Sequence, residues 1–386
     1  MNESRQDLAL SRGHTDELFR LLDPAAMYDR PIPERHRIVF YLGHLEAFDW
    51  NQIARRHLNT PSFHPEFDLL FEAGIDPEPG KAPSDRPSDW PKLGEVLDYK
   101  NRIRETVDRL WDNVSPDVRQ MSIEHREMHA ETFTYMLHNL EHEKKAARGS
   151  EELPAVREHK PETISIPPGK ATLGKRTGDG FGWDNEFQQV TQTVPAFAIG
   201  KHKITNGEYL DFVNEGAAAP HYWVRRNGRW FYHGMFEDIP LPLDWPVYVS
   251  RQEAAAYAEW KGKSLPTEAQ FHRAAHGIPD GARGNFDYRR WEPIPVNASP
   301  ESDSAFSVSQ LVGNGWELTS TAFAPFDGFA PQPTYPGYSA NFFDNQHYVV
   351  KGASPRTSAC LVRPSFRNWF RPEYPYTYTT FRLVDN

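Results

Sequence analysis

His125-Arg126-Glu127-Met128-His129 lies inside a helix-patterned run near residues 119–147, and its reading decides the architecture of the first half of the chain. Positions i and i+4 of an α-helix share one face, about 5–6 Å apart at Cβ, so the two imidazoles can bind one metal ion. Outward from this stretch the helical pattern recurs near 12–23, 34–58 and 92–115, which predicts a four-helix bundle. The Pro- and Asp-rich segment Gly74–Trp90 predicts a long surface loop between the second and third helices.

His44 lies in the second helical run, flanked by Tyr41, Leu42, Leu45 and Phe48. That apolar stripe should face the bundle core, where an imidazole needs a partner and a metal would supply one. Spacing alone leaves ordinary core or solvated histidines as the alternative. A second i,i+4 pair, His138 and His142, sits beside Glu141, Glu143, Lys144 and Lys145 and is expected to be solvated. Glu131 points to another part of the helix surface and is expected to support the site from outside the ligand set.

With 386 residues the chain exceeds the roughly 250–300 residues that one core accommodates, so two domains are expected. A formal charge of −10 and no basic run argue against nucleic acid or an anionic membrane as partner and favour a small molecule. No apolar stretch approaches the ~20 residues of a bilayer span, and Met1-Asn2-Glu3-Ser4-Arg5 lacks a signal-peptide core; a cytoplasmic location is expected. Cys360 is the single cysteine, which excludes internal disulfides and multi-cysteine metal sites. A metal must then rely on His, Asp or Glu.

The polar segment from Arg148 to Pro161 reads as a linker, giving domains at 1–150 and 162–386 joined by 151–161. Beyond it the texture changes: eight of the eleven Trp residues follow residue 180, and apolar runs shorten. Strands are predicted at Pro195–Gly200, Tyr348–Lys351 and Thr379–Val384, and helices at Thr205–Val213 and Arg251–Gly262. Thr205 with Glu208 makes a capping box. The fold class is α+β.

Four motifs then occur in order: Lys203-Ile204-Thr205-Asn206-Gly207-Glu208-Tyr209, Lys263-Ser264-Leu265-Pro266-Thr267-Glu268-Ala269-Gln270, Gly313-Asn314-Gly315-Trp316-Glu317-Leu318-Thr319-Ser320 and Phe381-Arg382-Leu383-Val384. Together they resemble the formylglycine-generating-enzyme (sulfatase-modifying factor) domain, a C-type-lectin-like fold. The sulfatase-modifying enzymes use a pair of cysteines, and this chain has only Cys360. The N-terminal half resembles a DinB-type four-helix bundle. A DinB-type bundle followed by this second domain resembles the iron-dependent sulfoxide synthases of ergothioneine biosynthesis, whose lone His and His-x-x-x-His-x-Glu motif match His44 and His125, His129, Glu131. Thr319–Phe343 and Ser365-Phe366-Arg367-Asn368-Trp369 also resemble that family's C-terminal segment, which should close over the metal.

The resemblance implies Fe(II) held by His44, His125 and His129, with O2, a cysteine-type thiol and hercynine (Nα-trimethylhistidine) as substrates and a sulfoxide as product. It places Asn368 and Trp369 near the trimethylammonium and carboxylate of hercynine; Trp369 and Phe370 suit cation–π contact, and Arg371, with Arg367 behind it, suits a substrate carboxylate. A proton-donating tyrosine is implied, for which Tyr335, Tyr338, Tyr374, Tyr376 and Tyr378 compete. Phe370 stands where some members carry an acidic residue, which favours cysteine or another small chalcogen donor over γ-glutamylcysteine. Met128 stands where such members carry Gln, and it cannot donate a hydrogen bond to hercynine. Gly352-Ala353-Ser354-Pro355 and Trp316-Glu317-Leu318 replace Gly-Gly-Ser-Trp and Trp-Glu-Trp. These departures keep a selenoneine synthase, joining hercynine to a selenosugar, as the alternative; a noncatalytic lectin-like binding protein with a structural metal and a DinB-type thiol transferase are readings from other classes.

Overall fold

The computed structural model describes residues 3–75, 83–146, 152, 154–156, 158–278 and 284–385. The chain forms two compact units, Met1–Gly149 and Ser150–Asn386. Part of the expected Gly74–Trp90 loop, residues 151, 153 and 157 of the expected linker, and residue 147 lie outside the described residues.

The first unit is helical: α1 (Glu3–Arg20), α2 (Ile38–Asp49), α3 (Pro65–Ala73), α4 (Leu93–Leu110) and α5 (Pro116–His138). Helix α1 starts earlier than the hydrophobic pattern suggests, because its buried stripe includes Leu8, Ser11, Thr15 and Leu18. Two of those four are polar, which hides the period. Helix α2 is buried on every side, as expected for a central helix apolar all round, and it packs on α3, α4 and α5 while α1 packs on α5.

The predicted single helix over 34–58 changes winding at Trp50: Trp50–His57 is a π-helix. Asp68 of α3 accepts hydrogen bonds there from Trp50 Nε1 (3.1 Å) and Arg55 Nη1 (2.9 Å). Those donors are five residues apart, the spacing that i→i+5 winding aligns and α-winding does not. Helix α3 was not anticipated from hydrophobic period; its signals are local, with Pro65 in its first turn, His64 accepting from the Phe67 amide, and Gly74 at φ 82° after its end.

Helix α5 ends at His138 rather than near 147. The following segment turns back and pairs with the end of α1, where Asp23 N–H donates to Lys144 O at 2.8 Å. This corrects the expectation for His138 and His142. The helix ends between them, so no i,i+4 face exists, and His138 is 1% exposed rather than solvated.

The second unit is sheet-rich. Its strands are β1 (Thr163–Ile166), β2 (Gly169–Leu173), β3 (Val190–Val194), β4 (Phe197–Gly200), β5 (Trp223–Arg226), β6 (Arg229–His233), β7 (Asp238–Pro240), β8 (Gly315–Ala322), β9 (Tyr348–Ala353), β10 (Asn368–Phe370), β11 (Thr379–Thr380) and β12 (Val384–Asp385). They form sheets β1-β4-β12, β10-β9-β8-β11, β2-β3 and β5-β6-β7. Most pairs are antiparallel, but β11 runs parallel to β8. Helices α6 (Asn206–Asn214), α7 (Arg251–Trp260) and α8 (Glu268–Ala274) accompany them, each with a capping box, from Thr205, Ser250 and Thr267 respectively. A core of Ile166, Leu173, Phe197, Ile199, Phe271, Leu311 and Val384 joins β1, β2, β4, α8 and β12.

Three of the four ordered motifs meet through buried charge, and the second has a buried pair of its own. Glu317 accepts from Lys203 Nζ (2.6 Å) and Arg382 Nη2 (2.6 Å), and Arg382 also donates to three backbone carbonyls. Glu268 is paired by Arg367 at 3.1 Å through both of its oxygens. Such groups are retained in a core only when paired and hydrogen-bonded, which gives these charged residues a structural reason to stand in the motifs. Gly313, Asn314 and Gly315 all have positive φ (87°, 61° and 128°), a run that glycine and asparagine adopt at least cost. No helix among the described residues is long and apolar enough to cross a membrane.

Candidate functional site

Helix α2 contributes His44, and one face of α5 contributes His125 and His129. Their ligand-capable nitrogens all lie within 4.8 Å of one another, and His44 Nε2 is 3.2 Å from His129 Nε2. His44 and His125 are buried and His129 is half-buried. His44 Nδ1 bonds Phe71 O at 2.7 Å, which as a carbonyl can only accept; Nδ1 therefore carries the proton and Nε2 is left with a lone pair. His129 Nδ1 is buried without a hydrogen-bond partner among the described residues.

Burial, opposed in part by the Phe71 bond, lowers the His44 imidazole to about 4. Burial and then neighbouring His44 hold His129 well below its ordinary value, and burial with His129 and His44 does the same for His125. All three are therefore neutral near pH 7, the form that binds a metal. The donor set fits a divalent cation: three neutral nitrogens converge, a tautomer is fixed from behind, and no carboxylate belongs to the group.

Sequence reasoning missed the parts that orient these rings. Phe48 stacks on His125 with centroids 3.4 Å apart and planes within 6°, and Phe40 stacks on His44 at 4.8 Å. Phe71, whose carbonyl fixes His44, belongs to the unanticipated α3. Gly43 inside a helical run is an advance signal of this approach: a Cβ there would lie 2.3 Å from the Phe71 ring, so α3 can approach His44 only over a glycine.

Beside the triad runs a buried ionic network. Arg126 donates to Glu46 (2.9 Å), Asp49 (2.7 Å) and Leu45 O (3.1 Å), and Glu46 also accepts from Arg104 at 2.7 Å. Burial would raise Glu46, but Arg126 and Arg104 outweigh it and hold the carboxyl far below the usual range. Met128 is half-buried on the same helix, and Glu131 is buried.

In the second unit Trp369 is half-buried in an aromatic cluster. It stacks on Phe323 at 4.2 Å with planes within 9°, meets Tyr338 edge-on at 5.5 Å and Phe342 at 5.4 Å. Asn368 is half-buried and its Oδ1 accepts from the Trp369 amide at 2.9 Å. Tyr338 is buried against Trp183, centroids 4.0 Å apart, and Tyr335 lies 6.0 Å from it. Tyr374 and Tyr376 form a separate group, with Phe370 parallel to Tyr374 at 6.2 Å. Tyr378 is buried and lies 5.4 Å from Tyr248. Arg371 is exposed. Arg367 is not available to a substrate carboxylate: it is 2% exposed and committed to Glu268 and to the carbonyls of Asn185 and Ala324.

Residues 150–386 match the family model of the sulfatase-modifying factor enzyme 1-like domain. The chain belongs to this family. The chain is 29% identical over 420 residues to "Ergothioneine biosynthesis protein 1" of Schizosaccharomyces pombe, covering 95% of this chain and 54% of that one. It is 34% identical over 238 residues to "Hercynine oxygenase" of Mycobacterium tuberculosis, covering 52% and 55%. It is 29% identical over 427 residues to "Hercynine oxygenase" of Mycolicibacterium smegmatis, covering 98% and 97%. The chain thus spans about half the length of the first two relatives and nearly all of the third.

Proposed function

We propose that this chain is a sulfoxide synthase of ergothioneine biosynthesis: an iron(II)- and O2-dependent enzyme that joins a cysteine-type thiol to C2 of the hercynine imidazole. The reading is carried by the convergence of His44, His125 and His129 within 4.8 Å, in a chain whose relatives are named for hercynine and ergothioneine chemistry. The overall reaction balances as R–SH, the C2–H of hercynine and O2 giving R–S(O)–C2 and water. Bound iron(II) supplies the redox chemistry and a common template for thiolate and O2.

This chain's residues have the following roles in that reading. The three neutral imidazoles add no charge to the cation, so an anionic thiolate is attracted. The Phe71 carbonyl keeps His44 in one tautomer. Trp369, half-exposed beside Asn368, offers a π face to the trimethylammonium of hercynine, and Asn368 and Arg371 offer donors to its carboxylate. Tyr338 is the proposed proton donor, because it is the one of the candidate tyrosines in contact with Trp369. Phe370, parallel to Tyr374, is itself apolar and offers no carboxylate to the ammonium of a dipeptide donor, which favours cysteine itself.

The test offers hercynine with cysteine, γ-glutamylcysteine or a selenosugar in parallel to the iron-loaded protein and identifies products by mass spectrometry. A sulfoxide from cysteine, with O2 consumed only when both substrates are present, is expected. A selenium adduct alone selects the selenoneine reading, and turnover undiminished in His125→Ala and His129→Ala proteins overturns both.

A further inference from the structure

The second unit contains a cavity of about 630 Å3 that the proposed reaction does not use. Six side chains that are or can become cationic line it, Lys170, His272, His276, Arg289, Lys351 and Arg363, with no acidic side chain among its described lining. Its remaining wall is largely apolar, including Phe271, Phe286 and Val312. A cavity of this size suits a small organic ligand.

The charge on its floor does not cancel. Lys351 is buried, donates to Pro364 O at 2.8 Å, and stands 4.0 Å from Glu268. Glu268 is already paired by Arg367, and Glu186 is taken by Arg363 and Ser365. Lys351, Arg363 and Arg367 against Glu186 and Glu268 gives three positive charges to two negative, a surplus of one in a desolvated cluster. Burial lowers Lys351 to about 8, with Glu268 the main opposing influence. Unbalanced buried charge is costly, and an anion in the cavity would offset it.

Two further observations point the same way. At the rim Lys170 and Arg289 are exposed, and neither is in an ion pair among the described residues; Arg289 makes one long bond, to Gly284 O at 3.4 Å. The nearby Asp287 carboxylate is engaged by the Ala359 amide at 2.8 Å. Within the wall, His272 Nε2 is the one buried side-chain polar atom of the described lining that has no hydrogen-bond partner.

We infer that this cavity binds a small organic phosphate, a phosphomonoester whose dianionic group is held by the Lys351 floor and the Lys170 and Arg289 rim while its carbon body lies on Phe271, Phe286 and Val312. A neutral molecule of the same shape leaves the surplus charge in place and binds far less well.

Titration calorimetry of the iron-loaded chain tests this with phenyl phosphate, phenol and inorganic phosphate as probes. Phenyl phosphate is expected to bind one site at least tenfold more tightly than either of the others, and to weaken as salt rises. Lys170→Glu with Arg289→Glu, at two exposed positions that leave the core intact, is expected to weaken it at least tenfold further without changing the circular dichroism spectrum. The inference is overturned if phenyl phosphate binds no better than phenol, if inorganic phosphate binds as well as phenyl phosphate, or if the double substitution leaves its affinity unchanged.

Discussion

Arg126 and Glu46 form a buried ion pair, 2.9 Å long, between the residue that follows His125 and the residue two beyond His44. The pair ties the two helices that carry the triad. Removing one member of such a pair costs about 3–5 kcal/mol, because the other stays buried and uncompensated. In Glu46→Gln, Arg126 keeps Asp49 and Arg104 keeps Asp16, whereas Arg126→Met leaves Glu46 with Arg104 but strands the buried Asp49 carboxylate. Denaturant unfolding should therefore show Arg126→Met as the more damaging change, and equal losses would contradict the dependence of Asp49 on Arg126.

Gly43→Ala should loosen metal binding without touching a ligand. The added Cβ would meet the Phe71 ring at 2.3 Å, and overpacking of this kind costs roughly 1–3 kcal/mol, more than the ~1 kcal/mol that alanine gains over glycine in a helix. The shift displaces the carbonyl that holds His44, and loss of such support typically lowers metal affinity about 10–100-fold. Iron affinity by competition with a chelator reads the effect; unchanged affinity would separate Phe71 from the site.

The metal-free protein should be acid-labile in a particular window. His44 is lowered to about 4, and His125 and His129 are held well below the usual imidazole value. Unfolded, each takes up a proton near pH 6.5; folded, each resists it. The unfolded state thus binds more protons below pH 6.5, so stability is full above that pH and falls as pH drops toward 4, by up to roughly 1.4 kcal/mol per unit for each ring. A His125→Asn, His129→Asn protein should show a shallower fall between pH 6.5 and 5 in denaturant titrations. An equally steep fall would place the acid sensitivity elsewhere.

Trp369→Ala should raise the KM for hercynine about 2- to 30-fold, from a cation–π contact of roughly 0.5–2 kcal/mol, with a smaller effect on the thiol. A change in the thiol KM alone would assign Trp369 to the other substrate.

Arg367→Ala and Arg371→Ala should separate by type of damage. The first removes both hydrogen bonds to buried Glu268, leaving it only Lys351 at 4.0 Å, and should cost about 3–5 kcal/mol of stability. The second removes an exposed side chain and should leave stability within roughly 0.5 kcal/mol, its effect being confined to KM. Thermal melts and steady-state kinetics on both distinguish the roles.

The pair His125 and His129 was legible because helical periodicity is local: they share a face wherever α5 packs, and the apolar neighbours of His44 pointed it toward the core, but the grouping of all three came from the family resemblance and not from spacing. The second unit was legible mainly through its motifs. The structure shows why, since Lys203, Glu268, Glu317 and Arg382 hold its core by paired charge, and charge pairs demand particular residue types. What local pattern could not disclose were contacts between distant segments. Arg367 and Arg371 read alike in sequence, yet one is committed to Glu268 and the other is exposed. Helix α3, with its carbonyl on His44, leaves only proline, glycine and a capping histidine as traces, and the buried polar residues of α1 disguise its length.

Asp68 gathers Trp50 and Arg55 across one π-wound turn, and this makes the number of residues between them matter as well as their identity. Positions 51–54 are buried, so substitutions there must keep their packing as well as the count. Deleting a single residue would let the segment relax to ordinary helix and turn one of the two donors away from the carboxylate, while α2 and His44 upstream keep their winding. The turn is thus intolerant of frame changes, and a one-residue deletion there offers a way to unfasten α3, and with it the Phe71 carbonyl behind His44, without altering any candidate ligand.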